Sequence, residues 1–256
     1  MLADLVAGAL EDAERRRAER PLAVVEEAAA AREPAIDALA ALAPAERVKI
    51  IAEVKRASPS RGDLAAIPDS AALASLYETG GASAISVLTE ERRFKGSLSD
   101  LEAVRAAVSL PVLRKEFVAD PYQVFEARAA GADLVLLIVA ALDQARLVEL
   151  HGLIADLGMT ALVEAHTEEE LSRAFDTGAT LVGVNARNLS TFELDRDLFG
   201  RLADRYPSGV IRVAESAVKS AADVAHYRAA GADVVLVGEA LVTSDPVATL
   251  GEFLGA

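Results

Sequence analysis

Charged side chains stand at the ends of several short aliphatic segments of this sequence. Glu53 and Lys55 close the first segment, Lys115 closes the third and Glu164 the fifth. Side chains alternate along a strand, so Glu53 and Lys55 share one face while Val54 points the other way. A lysine beside a glutamate in a partly dry cavity forms a proton donor and acceptor with mutually tuned pKa values. Acid–base chemistry is therefore the first function that these residues suggest.

Two later segments end in groups suited to holding a substrate. The sixth runs into Asn185 and Arg187, which share a face by the same alternation, and the seventh ends at Glu215 and Ser216. One Lys or Glu at a strand end is more often a solvated loop residue or a structural ion pair. Even without Ser216, seven polar groups from five segments are harder to assign to stability, because burying charges is costly unless they are paired.

A phosphate site is the second possibility. The segment SPSRG (58–62) follows the first aliphatic segment, and the eighth ends at Gly238 and Glu239. Barrels often bind phosphate with the loops after strands 7 and 8, helped by backbone N–H groups at a helix N-terminus. A lone glycine here is weak evidence, since most strand-end glycines only shape turns.

The aliphatic segments alternate with longer stretches of helical spacing, which predicts βαβ units and a parallel sheet. Eight such units in 256 residues favour a (β/α)₈ (TIM) barrel over an open doubly wound sheet, because no nucleotide-binding fingerprint is present. Glycines at 81, 131, 178 and 231 precede four of the segments as repeated helix-to-strand connectors. The segments are KIIAEV (49–54), AISVL (84–88), PVLRK (111–115), DLVLLIV (133–139), TALVE (160–164), LVGVN (181–185), VIRVAE (210–215) and DVVLVG (233–238).

An N-terminal extension, residues 1–45, precedes the first strand. Residues 2–31 are predicted to be mostly helical, with an interruption at Pro21 and an end at Glu33-Pro34. We expect this extension to pack on one end of the barrel, and residues 1–256 to form a single barrel domain.

The composition excludes several classes of protein. A net charge of −14 argues against nucleic-acid binding, and the absence of Cys excludes disulfides and thiolate metal sites. No apolar segment reaches the roughly 20 residues of a membrane helix, and the N-terminus is a poor signal peptide. His151, His166 and His226 lack metal-like spacing, and His166 is interpreted as a loop residue. We expect a cytoplasmic protein without a metal site.

Several blocks of this sequence together resemble the indole-3-glycerol-phosphate synthase family. They lie in the family's order over about residues 48–242, and the family also carries helices before its first strand. The blocks are IIAEVKRASPSRG, SVLTEERRFKGSLSDL, PVLRKEF, LLIVAAL, ALVEAHTEEE, VGVNARNL, VAESAV and VLVGEALV.

The resemblance implies a cofactor-free reaction in tryptophan biosynthesis. The substrate would be 1-(2-carboxyphenylamino)-1-deoxyribulose 5-phosphate, which undergoes ring closure, decarboxylation and dehydration to indole-3-glycerol phosphate. Lys115 is similar to the family's general acid. Lys55, Glu53 and Glu164 correspond to a second acid–base set, whose division of roles stays open. The family is often monomeric, and a monomer is expected here.

The remaining site residues are also implied by the resemblance. Asn185, Arg187, Glu215 and Ser216 correspond to positions that bind the substrate. Phe94, Phe117, Leu136 and Leu189 are similar to the apolar walls around the aromatic ring. Ser58, Ala217, Gly238 and Glu239 correspond to the phosphate site, where Glu239 would act through its backbone N–H because its carboxylate repels phosphate.

One residue departs from the family pattern. Glu215-Ser216 is followed by Ala217, where the family usually has Gly. A methyl group disfavours positive φ and close approach of the backbone to phosphate. We predict weaker phosphate binding with function retained.

Two other functions compete with this hypothesis. Another phosphate-binding barrel, such as phosphoribosylanthranilate isomerase, usually needs a Cys with an Asp, and this chain has no Cys. A non-catalytic barrel kept as a scaffolding subunit is suggested only by Ala217. Binding of the substrate without turnover would favour the scaffold.

Overall fold

The computed structural model describes residues 1–188 and 191–256, and within these ranges the strands form a closed parallel barrel. The strands follow one another around the barrel in chain order, and the eighth pairs with the first through Lys49 and Val234. The predicted (β/α)₈ barrel is therefore confirmed. The barrel strands are β1 Lys49–Val54, β2 Ala84–Leu88, β3 Val112–Lys115, β4 Leu134–Ile138, β5 Thr160–Ala165, β6 Leu181–Asn185, β7 Ile211–Glu215 and β8 Val234–Val237.

The α-helices of the described ranges pack around and across the ends of this barrel. A two-residue antiparallel ladder, Ala57–Ser58 with Gly62–Asp63, follows β1, and short 3₁₀ turns cover Val139–Ala141 and Ala203–Arg205. The helices are α1 Leu2–Glu19, α2 Leu22–Ala30, α3 Ala38–Leu42, α4 Ser70–Thr79, α5 Leu98–Ala107, α6 Pro121–Ala130, α7 Gln144–Asp156, α8 Glu168–Phe175, α9 Leu198–Leu202, α10 Ala221–Ala229, α11 Glu239–Val242 and α12 Pro246–Leu254. None of these helices is both long and apolar enough to cross a membrane.

The predicted strands agree with the observed ones to within one residue at each end. The fourth was predicted to begin at Asp133, whereas β4 begins at Leu134; the Asp133 side chain accepts hydrogen bonds from the backbone N–H groups of Ile36 and Val112 at 2.8 and 2.9 Å. Asp133 also pairs with Arg105 at 2.6 Å. The carboxylate thus ties the loop before β4 to β3 and to the N-terminal extension.

The repeated glycine connectors have the left-handed conformation that the sequence predicts. Gly81, Gly131, Gly178 and Gly231 have φ values of 93, 93, 82 and 93°. The N–H of Ala132, the next residue after Gly131, donates back to the carbonyl of Ala127 at 2.9 Å and closes the end of α6. Any side chain at these glycines would be strained, which explains why the connector repeats.

The N-terminal extension is helical and touches both ends of the barrel. Pro21 separates α1 from α2 with φ −55° and ψ 152°, as predicted. Ala38 and Leu42 of α3 are fully buried with the aliphatic side chains that fill the barrel interior. Leu5 of α1 belongs to the same cluster, together with Phe117 and Leu136.

A fully buried arginine and the glutamate that it pairs with connect α1 to the barrel. Arg114 on β3 points away from the barrel interior and pairs with Glu126 of α6 at 2.8 Å. It also donates to the carbonyl of Gln123 at 2.7 Å. The other side of the Glu126 carboxylate accepts from Nε of Arg16 on α1 at 2.5 Å. One carboxylate therefore neutralises a core cation and binds the extension.

Replacement of this carboxylate should destabilise the fold strongly. In Glu126→Ala, the buried Arg114 loses its anion, and we expect a loss of roughly 3–5 kcal/mol in the free energy of unfolding. Urea unfolding followed by circular dichroism measures this change. Glu102→Ala, at an exposed position on α5, should change the midpoint little. Equal midpoints for the two variants would contradict the assigned role.

Candidate active site

A cavity opens at the carboxyl ends of the strands, and most of the predicted site residues line it. Leu189, a predicted wall residue, lies outside the described residues. All the other predicted site residues contribute to the lining: Glu53, Lys55, Ser58, Phe94, Lys115, Phe117, Leu136, Glu164, Asn185, Arg187, Glu215, Ser216, Ala217, Gly238 and Glu239. Closure of the barrel thus brings together side chains that are up to 186 residues apart, from Glu53 to Glu239.

Lys115 occupies the centre of the charged groups. Its Nζ atom lies 2.7 Å from Oε2 of Glu215 on β7 and 3.4 Å from Oε2 of Glu164 on β5. The two carboxylates are almost wholly buried, with side-chain exposures of 1 and 2%. Alternate strands β3, β5 and β7 therefore converge on one ammonium group at the barrel axis.

Burial and charge push the pKa values of these groups apart. Burial lowers the pKa of Lys115, but Glu215 and Glu164 raise it by more, so that it lies above its usual value. Burial raises the pKa of Glu164, yet Lys115 and His166 hold it below its usual value. Burial, with the neighbouring Glu164, raises the pKa of Glu215 despite Lys115. The cluster holds a charged lysine, an ionised Glu164 and a Glu215 that binds a proton readily.

A second lysine–glutamate pair lies beside this cluster. Nζ of Lys55 is 2.7 Å from Oε1 of Glu53, whose other oxygen faces the hydroxyl of Ser86 at 3.5 Å. Val54 belongs to the buried cluster on the helix side of the sheet, as strand alternation predicted. A Cβ atom on Gly238 would lie 2.5 Å from Oε1 of Glu53 and 2.9 Å from Nζ of Lys55. The lack of a side chain at Gly238 therefore leaves room for this pair.

The ends of β6 and β7 are joined by polar contacts. The hydroxyl of Ser216 donates to Oδ1 of Asn185 at 2.7 Å, and the same oxygen accepts from the backbone N–H of Arg187 at 3.0 Å. The Arg187 guanidinium donates to the carbonyl of Phe192 at 3.3 Å. Asn185 and Arg187 both face the cavity, in agreement with the predicted alternation. They provide an amide and a cation for a polar or anionic ligand.

An apolar wall forms another part of the cavity lining. The rings of Phe94 and Phe117 are 6.2 Å apart and tilted by 43°. The loop carrying Phe94 is held by Glu90, whose carboxylate accepts from the N–H groups of Arg93 and Phe94 at 2.7 and 2.8 Å. With Leu136, these side chains form a surface suited to an aromatic ring.

Sequence reasoning missed several residues of this cavity. Leu5 comes from α1, more than 40 residues before β1, and Ile138 and Phe192 also contribute. The apolar spacing of α1 identifies Leu5 as a buried residue but not its location. His166 does lie in a loop, as interpreted, yet its side chain is only 11% exposed, with Nε2 3.3 Å from Oε1 of Glu164. The sequence feature that could have identified His166 as a neighbour of the site is its position two residues after Glu164.

The predicted phosphate end of the cavity has an unusual backbone. Ser216 and Ala217 have φ values of 68 and 58°, two consecutive non-glycine residues in the left-handed region. The hydroxyl of Tyr227 donates to the carbonyl of Ser216 at 3.3 Å and holds this turn from α10. The carboxylate of Glu239 pairs with the guanidinium of Arg61, so its charge is neutralised by a group from the loop after β1.

The fold and the cavity define a class of protein. A closed (β/α)₈ barrel carries acid–base pairs, an apolar wall and polar strand ends at its carboxyl face, which is where barrel enzymes hold their active sites. The solved 3-hexulose-6-phosphate synthase of Salmonella typhimurium has the same fold, with a TM-score of 0.66 at 16% identity over 81% of this chain and 97% of that one. The chain therefore belongs to the (β/α)₈-barrel class of proteins.

Comparison with protein families is more specific. The family model for indole-3-glycerol phosphate synthase matches residues 2–252. The indole-3-glycerol phosphate synthase of Leifsonia xyli subsp. xyli is 84% identical over all of this chain and 98% of its own length. That of Mycolicibacterium gilvum is 58% identical over all of this chain and 94% of its own. The chain belongs to the indole-3-glycerol phosphate synthase family, which confirms the resemblance seen in the sequence.

The positive φ of Ala217 suggests a variant that tests phosphate binding at this end of the cavity. A non-glycine residue in this region costs about 1–2 kcal/mol, and glycine would relieve it. We expect Ala217→Gly to lower KM for the phosphorylated substrate a few-fold, with kcat within about twofold. Steady-state kinetics measures both constants. A lower KM for the native protein than for this variant would contradict the prediction.

Proposed function

We propose that this chain converts 1-(2-carboxyphenylamino)-1-deoxyribulose 5-phosphate to indole-3-glycerol phosphate in tryptophan biosynthesis, as a carboxy-lyase. Membership of the family supports this activity. The observation that carries the assignment of its chemistry is the position of Lys115, charged and held between two buried carboxylates at the barrel mouth. A proton donor with a side chain only 13% exposed is thereby fixed beside an aromatic wall.

Lys115 is proposed as the general acid of ring closure. The ring carbon that bears the carboxylate attacks the C2 carbonyl, a C–C bond forms, and the carbonyl oxygen takes a proton from Nζ of Lys115. The bond to the carboxylate then breaks, CO₂ leaves, and its electron pair restores the aromatic ring. These steps balance without an oxidant or reductant. The ammonium also stabilises the negative charge that develops on the oxygen.

Dehydration needs a second proton donor and an acceptor. The new hydroxyl group must leave as water, and the ring closure product must lose a proton to become the indole. Lys55, Glu53 and Glu164 are proposed for this step. The 2.7 Å Lys55–Glu53 pair places a donor and an acceptor together, and the low pKa of Glu164 makes it an ionised carboxylate.

The other cavity residues are proposed to bind the substrate. Asn185 and Arg187 would orient its hydroxyl groups and charge, with Ser216 and Glu215 beside them. The apolar side chains Phe94, Phe117 and Leu136 would hold the aromatic ring. A local cation such as Arg187 is needed for an anionic substrate, because the chain as a whole carries a charge of −14.

The phosphate group is proposed to bind near the ends of β7 and β8. Ser58, Ala217, Gly238 and Glu239 all line the cavity. Backbone N–H groups at Gly238 and Glu239, where α11 begins, would face the phosphate. Pairing of the Glu239 carboxylate with Arg61 supports a role through its backbone rather than its side chain.

A cytoplasmic location and a monomeric state are also proposed. The absence of Cys and a biosynthetic phosphorylated substrate support the location. Among the described residues, only Leu22 and Val24 of the large exposed hydrophobic side chains share a helix, which supports the monomer. Light scattering of the purified chain tests the oligomeric state.

Indole fluorescence tests the activity directly. The chain has no Trp and only four Tyr, so indole emission from the product stands out from the protein background. We expect a steady rise in emission, with an initial rate proportional to enzyme concentration. Binding of the substrate by folded protein without this rise would contradict the proposal and favour a scaffolding role.

Replacement of Lys115 tests the proposed general acid. We expect Lys115→Ala to lower kcat at least about a hundredfold while KM changes by less than about tenfold, because the lost contact acts mainly in the transition state. Lys49→Ala is the control, since Lys49 begins β1 at the opposite end of the barrel. Near-native turnover of the Lys115 variant would remove this residue from the mechanism.

A further inference from the structure

His166 lies behind the catalytic cluster, between two carboxylates. Its Nε2 atom is 3.3 Å from Oε1 of Glu164, an ion-pair distance without hydrogen-bond geometry, and its Nδ1 atom is 3.3 Å from Oε2 of Glu170 in the first turn of α8. The same Glu170 oxygen accepts from the backbone N–H of His166 at 2.7 Å. The imidazole side chain is only 11% exposed and is absent from the lining of the cavity. It therefore acts on the site only through Glu164.

The two carboxylates beside Lys115 have unequal surroundings. Glu164 faces Lys115 with Oε2 and His166 with Oε1, so each oxygen meets a group that can carry positive charge. Glu215 faces Lys115 with Oε2, while its Oε1 is buried without a hydrogen-bond partner among the described residues. This second oxygen lies over Gly183, where a Cβ atom would approach it to 2.2 Å.

We propose that His166 is a positioning residue that, as an imidazolium, keeps Glu164 ionised and leaves Glu215 as the carboxyl group that takes up a proton. The proposal rests on the proposed function, in which an ionised Glu164 takes part in dehydration. Without the imidazolium, Glu164 and Glu215 would compete for one proton beside the same ammonium. Two carboxylates that share a site separate in pKa when their surroundings differ.

The groups that face His166 support its charged form. Burial lowers the pKa of His166, but Glu164 and Glu170 raise it by more, to about 10. Glu170 is itself held ionised: burial raises its pKa, whereas His166 and then Arg173 on α8 lower it below its usual value. The charges alternate from Glu170 through His166, Glu164 and Lys115.

The first measurement is independent of catalysis. The chain has three histidines, so ¹⁵N-histidine labelling gives imidazole NMR signals that can be assigned by single replacements. We expect His166 to carry both ring protons at pH 8, whereas burial lowers the pKa of His151 and leaves it neutral. In Glu170→Gln, the pKa of His166 should fall by about one unit or more. A neutral His166 at pH 8 in the native protein would overturn the proposal.

The second measurement uses His166→Gln, which keeps an N–H donor but removes the charge. We expect kcat to fall about tenfold and KM to change by less than about threefold, since the residue does not touch the substrate. The acid limb of the kcat/KM profile should move upward by about one pH unit, because Glu164 then binds a proton more readily. His226→Gln removes a histidine that pairs with Asp197 at 3.2 Å outside the cavity, and its profile should match the native one.

The outcomes separate this proposal from the proposed function. A native chain that does not turn over the substrate refutes the function, while the NMR titration still decides the charge of His166. A native chain that turns over normally, with a His166→Gln profile unchanged and kcat within about twofold, overturns the role of His166 alone.

Discussion

The structure of the site depends on one buried ammonium group and the two carboxylates that face it. Lys115 is 2.7 Å from Glu215 and 3.4 Å from Glu164, and each partner comes from a different strand. Burying any one of these charges alone would cost several kcal/mol. Together they are tolerated only because barrel closure sets β3, β5 and β7 at fixed distances around one axis. The same closure keeps the lysine protonated and therefore able to serve as an acid.

The surrounding structure keeps this cluster in place from behind. Gly183 and Gly238 leave space for the carboxylates of Glu215 and Glu53, where a Cβ atom would collide with them. His166 supports Glu164 from the helix side. These residues do not carry out the reaction themselves, but they determine the orientation and the charge of those that do, which is the usual task of supporting side chains around a preorganised site.

The N-terminal extension contributes both to the stability of the protein and to the lining of its candidate active site. Arg16 of α1 shares Glu126 with the buried Arg114, and Leu5 of the same helix lines the cavity. The attachment is therefore ionic at one point and apolar at another.

The turn at Ala217 is a local source of strain in the site. Its backbone is left-handed although the residue is not glycine, which would adopt this conformation at lower cost in free energy.

Much of the fold could be predicted because it follows from the local periodicity of the sequence. Aliphatic segments, helical spacing and the Gly connectors each act over a few residues, and strand alternation correctly separated Val54 from Glu53 and Lys55. The side-chain contacts at the strand ends were less predictable, since Asp133, just before β4, accepts hydrogen bonds from segments 21 and 97 residues away. Which residues line the cavity followed from the strand ends and from the family resemblance.

The sequence by itself determined the order of the strands, the family, and the residue types gathered at the carboxyl face. Only the tertiary structure decided which charges meet. It placed Lys115 closer to Glu215 than to Glu164, paired Arg114 with Glu126 of α6, and set His166 against Glu164. Electrostatic energies depend on distances and burial between side chains that are remote in the chain, and local sequence patterns carry no record of either.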